Sequence, residues 1–363
     1  MEQGAPPESA FEFTGGWREF APIAFTNLLL TIVTLGIYTF WARTRVRRYL
    51  WSRTRFIDDR LEWAGTGLEL FLGYILAFFL LLVPLGAVQL VLQGIILHGH
   101  PGAAVAITLL LYLFLLFLIG VAIFRALRYR LSRTYWHGIR GGSDDQGFAY
   151  GWAYFWRTIV GTLALGLMIP WSMTRLWNAR WSAMSFGPLQ FSAEAEWQPI
   201  FPRFLLYYLT PILLFVGGVV VAMFGVAIIG LHPDPNPGPA TIVEFVLLGL
   251  LFYAIFFGVL GAIALFYYAA YFREAVGKLT LGNLQFGFSA RTVDWIKLFL
   301  GNIGLVIVTL GIGYIFIAYR NWAFMVRHLD AYGEVQLDTL TQSTTRAPGQ
   351  GEGLLDAFDI GAF

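Results

Sequence analysis

Four apolar runs, roughly 70–97, 103–124, 204–231 and 243–272, leave this chain little choice of fold. Each is long enough to cross a hydrocarbon core of about 30 Å, which takes about 20 helical residues. Lipid offers the backbone no hydrogen-bond partners, so spans of this length satisfy their N–H and C=O groups internally, as helices. A soluble alternative fails on composition. Hydrophobic residues make up 58% of the 363 and charged residues only 13%, against about 25% charged in soluble domains. The runs pair as two hairpins, 68–124 and 204–272, closed by "HGHPG" (98–102) and "HPDPNPGPA" (232–240). The reading is an all-α polytopic membrane protein.

Charge orients the hairpins. Neither connector contains Lys or Arg, whereas Arg43, Arg45, Arg47 and Arg48 precede the first hairpin and Arg125, Arg128, Arg130 and Arg133 follow it. Arg175, Arg180 and Arg203 precede the second, and Arg273 and Lys278 follow it. The positive-inside rule then puts all four basic ends in the cytoplasm and the turns 98–102 and 232–240 outside. The opening "MEQGAPPESA" lacks the basic n-region of a signal peptide, which predicts no cleavage.

Three shorter apolar segments remain, near 20–41, 153–172 and 297–319. With both hairpins so oriented, the middle one starts and ends in the cytoplasm and cannot cross once. It re-enters or lies in the interface, a path tolerated where protein covers the backbone. The alternative is seven plain crossings with a weak charge bias, which puts residues 272–297 outside.

The short segments are copies of one another. "NLLLTIVTLGIY" (27–38) and "NIGLVIVTLGIG" (302–313) agree at eight of twelve positions, with Asn27 on Asn302 and Gly36 on Gly311. At an offset of 130 from the first copy, Leu35-Gly36 falls on Leu165-Gly166, Trp41 on Trp171 and Arg45 on Arg175; the third copy supplies Arg320. Each copy is an apolar arm, a Leu-Gly break at which the chain turns or bends, and an arginine at the cytoplasmic surface. A second phrase recurs as "SFGPLQFSAE" (185–194) and "TLGNLQFGFS" (280–289), with relatives in "TRFIDDRLEWAG" and "TYWHGIRGG". Its alternation around a turn predicts short cytoplasmic β-ribbons. The layout is a disordered 1–10, a membrane domain 11–340 with repeats at about 17–63, 147–195 and 286–340, and a disordered tail 341–363.

The stretch "FEFTGGWREFAPIAFTNLLLTIVTLGIYTFWARTRVRRYLWSRTRF" resembles the YjgN-like family of bacterial inner-membrane proteins, most specifically in "LTIVTLGIYTFWARTRVRRYL". The resemblance covers most of residues 11–340, and the middle copy, "LALGLMIPWSMTRLW", departs from the phrase. It implies a multi-spanning protein of the bacterial inner membrane. The family's domain is one of unknown function, so no reaction or catalytic residues carry over.

The candidate residues follow from the repeat. Asn27, Gly36, Gly166, Asn302 and Gly311 are candidates for a polar ligand or permeation site beside the breaks; the asparagines read equally as helix-packing glue. Arg45, Arg48, Arg175 and Arg320 are candidates for anionic phospholipid, since a guanidinium binds phosphate oxygens as a bidentate fork; the plainer reading is headgroup snorkelling. "RTRVRRYLWSRTR" directly after an apolar segment reads as juxtamembrane and not as a nucleic-acid contact. His98 and His100 on a short turn, with no carboxylate nearby, make a poor metal site, and Asp144 and Asp145 read as solvated turn residues. The chain has no cysteine and no nucleophile elbow, phosphate loop or zinc-protease pattern, so neither catalysis nor a cofactor is expected. The long runs carry almost no ionisable group, which disfavours a proton-coupled carrier. Uncoupled permeation of a small solute or lipid is slightly preferred, with a non-transporting lipid-organising or partner-binding scaffold as the alternative.

Overall fold

The structure, a computed structural model, describes residues 9–229, 238–335, 340–347 and 349. The expected disorder of 1–8, most of the connector 232–240 and the tail beyond 349 lie outside the described residues.

The chain is a meander of short strands from which pairs of helices project. The strands are β1 (Phe11–Phe13), β2 (Thr54–Phe56), β3 (Asp59–Arg60), β4 (Glu62–Trp63), β5 (Thr134–Trp136) and β6 (Ile139–Gly142). They continue as β7 (Ser185–Phe186), β8 (Leu189–Ala193), β9 (Leu279–Leu281), β10 (Leu284–Phe288) and β11 (Leu329–Tyr332). Between β1 and β2 stand α1 (Trp17–Val33) and α2 (Thr39–Ser52). Between β4 and β5, α3 (Gly67–Ala77) runs through a π-helical stretch, Phe78–Leu82, into α4 (Val83–Leu97), and α5 (Pro101–Ser132) returns. Then come α6 (Phe148–Leu163) with α7 (Ile169–Trp181), and α8 (Phe201–Ile229) with α9 (Pro239–Gly277). Last is α10 (Thr292–Val308), joined through a 3₁₀ stretch, Ile312–Phe316, to α11 (Ile317–His328).

The all-α expectation needs correction. The described residues are 68% helical, but β4 to β11 pair in unbroken sequence order as one curled eight-stranded antiparallel sheet, and β1, β2 and β3 form a second of three. Each phrase read as a ribbon is a strand pair here, and the ribbons join edge to edge: Phe191 pairs with Leu281 and Gly141 with Phe186. Unpaired ribbon edges are sticky, and joining them satisfies their N–H and C=O groups. The ribbon turns lie at one rim of the meander, so all five helical excursions leave from the other. At the β5–β6 turn His137 and Gly138 have φ of 51° and 71°, both positive as a two-residue type I′ turn requires.

The curl brings the ends of the chain together. The Ala10 N–H donates to Asp330 Oδ1 at 3.0 Å, and Phe11 sits 4.5 Å from Phe56 and 6.3 Å from Phe286, ring centre to ring centre. Phe56, Trp136, Phe186, Phe191 and Phe286 are buried together inside the curl. At the helical rim Trp51 stacks on Trp322 at 4.1 Å, joining the first and last helical pairs. The composition from 341 onward predicts disorder; residues 341–347 instead lie along β6. Gln342 accepts from the Arg140 N–H at 3.1 Å and donates to the Gly138 carbonyl at 2.8 Å, and the Arg346 N–H donates to Asp144 at 2.9 Å.

Among the described residues, four stretches are long and apolar enough to cross a membrane: Gly67–Leu97, Pro101–Ser132, Phe201–Val221 and Thr241–Gly277. At most 17% of the most apolar window of any of them is buried by the rest of the chain. Their large side chains face outward, as lipid-exposed helices do.

Candidate membrane-surface site

Each short segment folds as two helices meeting at the Leu-Gly pair. Leu35, Leu165 and Leu310 have φ of 50°, 53° and 50°, and Gly36, Gly166 and Gly311 have 93°, 85° and 94°. The three turns share one hydrogen-bond pattern. The Gly36, Gly166 and Gly311 N–H groups donate to the carbonyls of Thr31, Gly161 and Val306, each at 2.8 Å, five residues back. This six-to-one closure is the one that ends helices in the left-handed region. Thr34 and Thr309 reinforce it in the outer copies, where their hydroxyls accept from the backbone N–H of Tyr38 at 2.9 Å and of Gly313 at 2.6 Å. The middle copy has Ala164 there.

Glycine adopts such a φ without strain, but a leucine in the left-handed region costs about 1–2 kcal/mol. The three leucines make no use of burial to offset it: Leu35 is 94% exposed, Leu310 93% and Leu165 77%. Val33, Leu163 and Val308 beside them are exposed as well. The tips are therefore bare apolar points. The Leu165 carbonyl accepts from the Tyr208 hydroxyl at 2.9 Å, seven residues into α8 and inside one of the four membrane-length stretches. At 1.5 Å per residue the middle tip reaches about 10 Å along that helix from its start. In the first pair, Phe40 lies 5.2 Å from Tyr74 and Trp41 5.5 Å from Phe71, likewise within a membrane-length stretch.

Behind the first and third tips, asparagine and arginine candidates meet across the hairpin. Arg45 donates to Asn27 Oδ1 at 3.3 Å and to the Tyr38 hydroxyl at 3.0 Å, and buried Asn27 donates to the Ala42 carbonyl at 3.2 Å. Arg320 donates to Asn302 Oδ1 at 2.7 Å, and Asn302 donates to Asn321 at 2.9 Å. Residues separated in the sequence as ligand and lipid candidates thus form one element, an Asn-Arg clasp. Arg48 is exposed on α2, one turn beyond Arg45 and outside the clasp bonds.

The middle copy breaks this pattern. At the offset of 130 Asn27 falls on Arg157, so two guanidiniums occupy the positions at which the other copies have an amide and a guanidinium. Burial first and the charge of Arg175 second hold Arg157 below the usual arginine range. Its Nη1 is buried with no hydrogen-bond acceptor among the described residues. The group lies over the Trp171 ring, 5.8 Å from its centre, and the Ser172 hydroxyl donates to the Arg157 carbonyl at 3.3 Å. Arg180 is also buried, against Trp177. The sequence reading passed over Arg157, although the same offset that yields Arg175 identifies it. Trp152 and Trp156 are exposed on α6, as amphipathic rings are at headgroup level.

The sequence matches, over residues 8–357, the family described as bacterial protein of unknown function (DUF898). The chain is also similar to the inner membrane protein YjgN of Salmonella typhimurium, 27% identical over 157 residues, and to its Escherichia coli K12 counterpart, 28% identical over 163. These matches cover 43% and 44% of this chain and 37% of each relative, so the chain spans well under half the length of either. No solved structure matches it. With four membrane-length stretches and relatives named for the inner membrane, it is a multi-pass inner-membrane protein and belongs to the DUF898 family of bacterial proteins of unknown function.

Proposed function

We propose that this chain is a non-enzymatic, lipid-organising protein that presses three apolar wedges into the cytoplasmic leaflet and holds anionic headgroups behind them. The observation that carries the reading is the set of three strained, exposed leucines at helical-hairpin tips, one of them bonded to Tyr208 inside a membrane-length helix. Arg45, Arg175 and Arg320 each follow their tip leucine by ten residues. In the first two pairs the helix from its first residue, Thr39 or Ile169, to the arginine is about 9 Å, roughly a third of a hydrocarbon core of about 30 Å. With the arginines at headgroup level, each tip ends within the cytoplasmic leaflet and returns.

The positive-inside rule sets the side. The arginine-rich strand end belongs to the cytoplasm and the His98–His100 turn lies outside. A permeation path beside the Leu-Gly breaks, the preference from sequence, asks for polar groups available to a solute. The amides of Asn27 and Asn302 are committed to Arg45 and Arg320, which favours the lipid-organising reading.

The chain lacks cysteine, so Leu35→Cys, Leu165→Cys and Leu310→Cys each place a single environment-sensitive label at a tip. Acyl-chain doxyl lipids are expected to quench all three labels, which should resist a membrane-impermeant maleimide from either side. Ready labelling from the cytoplasmic side sinks the wedge reading. Lipid co-extracted in polymer nanodiscs should be enriched in anionic species, and less so once Arg45, Arg48, Arg175 and Arg320 are replaced by Gln; unchanged enrichment counts against headgroup binding.

A further inference from the structure

We infer that the face between α6 and α7, lined by Arg157, Trp171, Ser172 and Arg175, is a phosphate-anion site peculiar to the middle repeat. The argument rests on the symmetry of the three hairpins. In the first and third, the arginine after the tip donates to an asparagine oxygen, at 3.3 and 2.7 Å. In the middle hairpin the same backbone turn, with the same positive-φ pair, puts Arg157 and Arg175 at the positions that Asn27 and Arg45 hold in the first. The acceptor has been replaced by a second donor. Neither guanidinium has a salt bridge or side-chain hydrogen bond among the described residues, and Arg157 Nη1 is buried without an acceptor.

A guanidinium held over Trp171 with a buried, orphaned N–H, and a second guanidinium at the partner position of the same hairpin, lack an anion. A phosphate suits the gap, because it offers several acceptor oxygens and takes charge-assisted, forked hydrogen bonds from arginine. Trp171 under Arg157 fixes the guanidinium plane from one side, while Arg175 is exposed and leaves the site open to a ligand. The exposed Trp152 and Trp156 on the same helix point to a phospholipid headgroup as the source. Only this choice of source rests on the wedge reading; a soluble phosphate has the same chemistry.

The decisive variant is Arg157→Asn, which recreates the clasp of the sister hairpins and so should fold. The full chain in nonionic detergent is titrated with phosphatidylglycerol and, separately, with inorganic phosphate, following lipid adducts by native mass spectrometry and phosphate by thermal shift. Arg157→Asn and Arg175→Gln are each expected to weaken binding by about tenfold or more, the size of one lost charge-assisted hydrogen bond. Loss confined to phosphatidylglycerol assigns the site to lipid, and loss confined to inorganic phosphate assigns it to a soluble anion. If both variants bind both probes as the parent does, the site does not exist. Quenching of a Leu165→Cys label in the Arg157→Asn background separates the two readings: a tip still quenched beside unchanged phosphate binding overturns the anion site alone, and a water-accessible tip overturns the wedge alone.

Discussion

The clasp shows how one side-chain change converts a structural contact into a chemical one. Asn302 satisfies Arg320 at 2.7 Å and Asn321 at 2.9 Å, so its amide supports two neighbours at once. Asn302→Leu leaves both partners without it, and an unsatisfied polar group beside a charge costs about 1–3 kcal/mol. We expect a melting temperature several degrees lower in detergent, with the oligomeric state unchanged; a neutral effect would mean that solvent already satisfies Arg320. Asn27, Arg45, Asn302 and Arg320 were all legible as repeated residues. That they bond in pairs was not, because the partners sit 18 residues apart on opposite arms and only the turn between them sets which faces meet.

At the level of the helical pair, backbone and side chain pull in opposite directions. Glycine at Leu35, Leu165 and Leu310 removes left-handed strain of about 1 kcal/mol or more per site and also the apolar points. The triple Leu→Gly chain should therefore melt in detergent no lower than the parent. Its tips, labelled at the adjacent valines through Val33→Cys and Val308→Cys, should lose part of their acyl-chain quenching. A chain that unfolds would show that the leucines serve packing within the protein. Both halves of the turn could be read locally, since Leu-Gly after an apolar helix is a stop signal. The membrane-length stretches were legible for the same reason, through length and composition alone.

For the whole molecule the strongest expectation is sidedness. His98→Cys at the tip of the first membrane hairpin should react with an impermeant maleimide added to intact spheroplasts. His137→Cys, at a ribbon turn on the opposite rim of the meander, should react only after lysis. The reverse pattern would invert the molecule and put the arginines outside, against the positive-inside rule. The curled sheet that fixes this geometry also explains why the ribbons need not stand alone. Two-stranded ribbons are marginal by themselves, and joining them shares one apolar interior.

Sequence alone determined that the chain spans a membrane, where the spans lie, where three hairpins turn and where four ribbons form. Each of these is encoded within a few residues, by hydrophobic run length, by a left-handed glycine or by alternation around a turn. Tertiary structure decided that the ribbons are one sheet, that Ala10 meets Asp330 across 320 residues and that Arg157 holds a buried, unpartnered N–H over Trp171. Register and ring closure depend on which distant edges satisfy one another, and no local pattern carries that information.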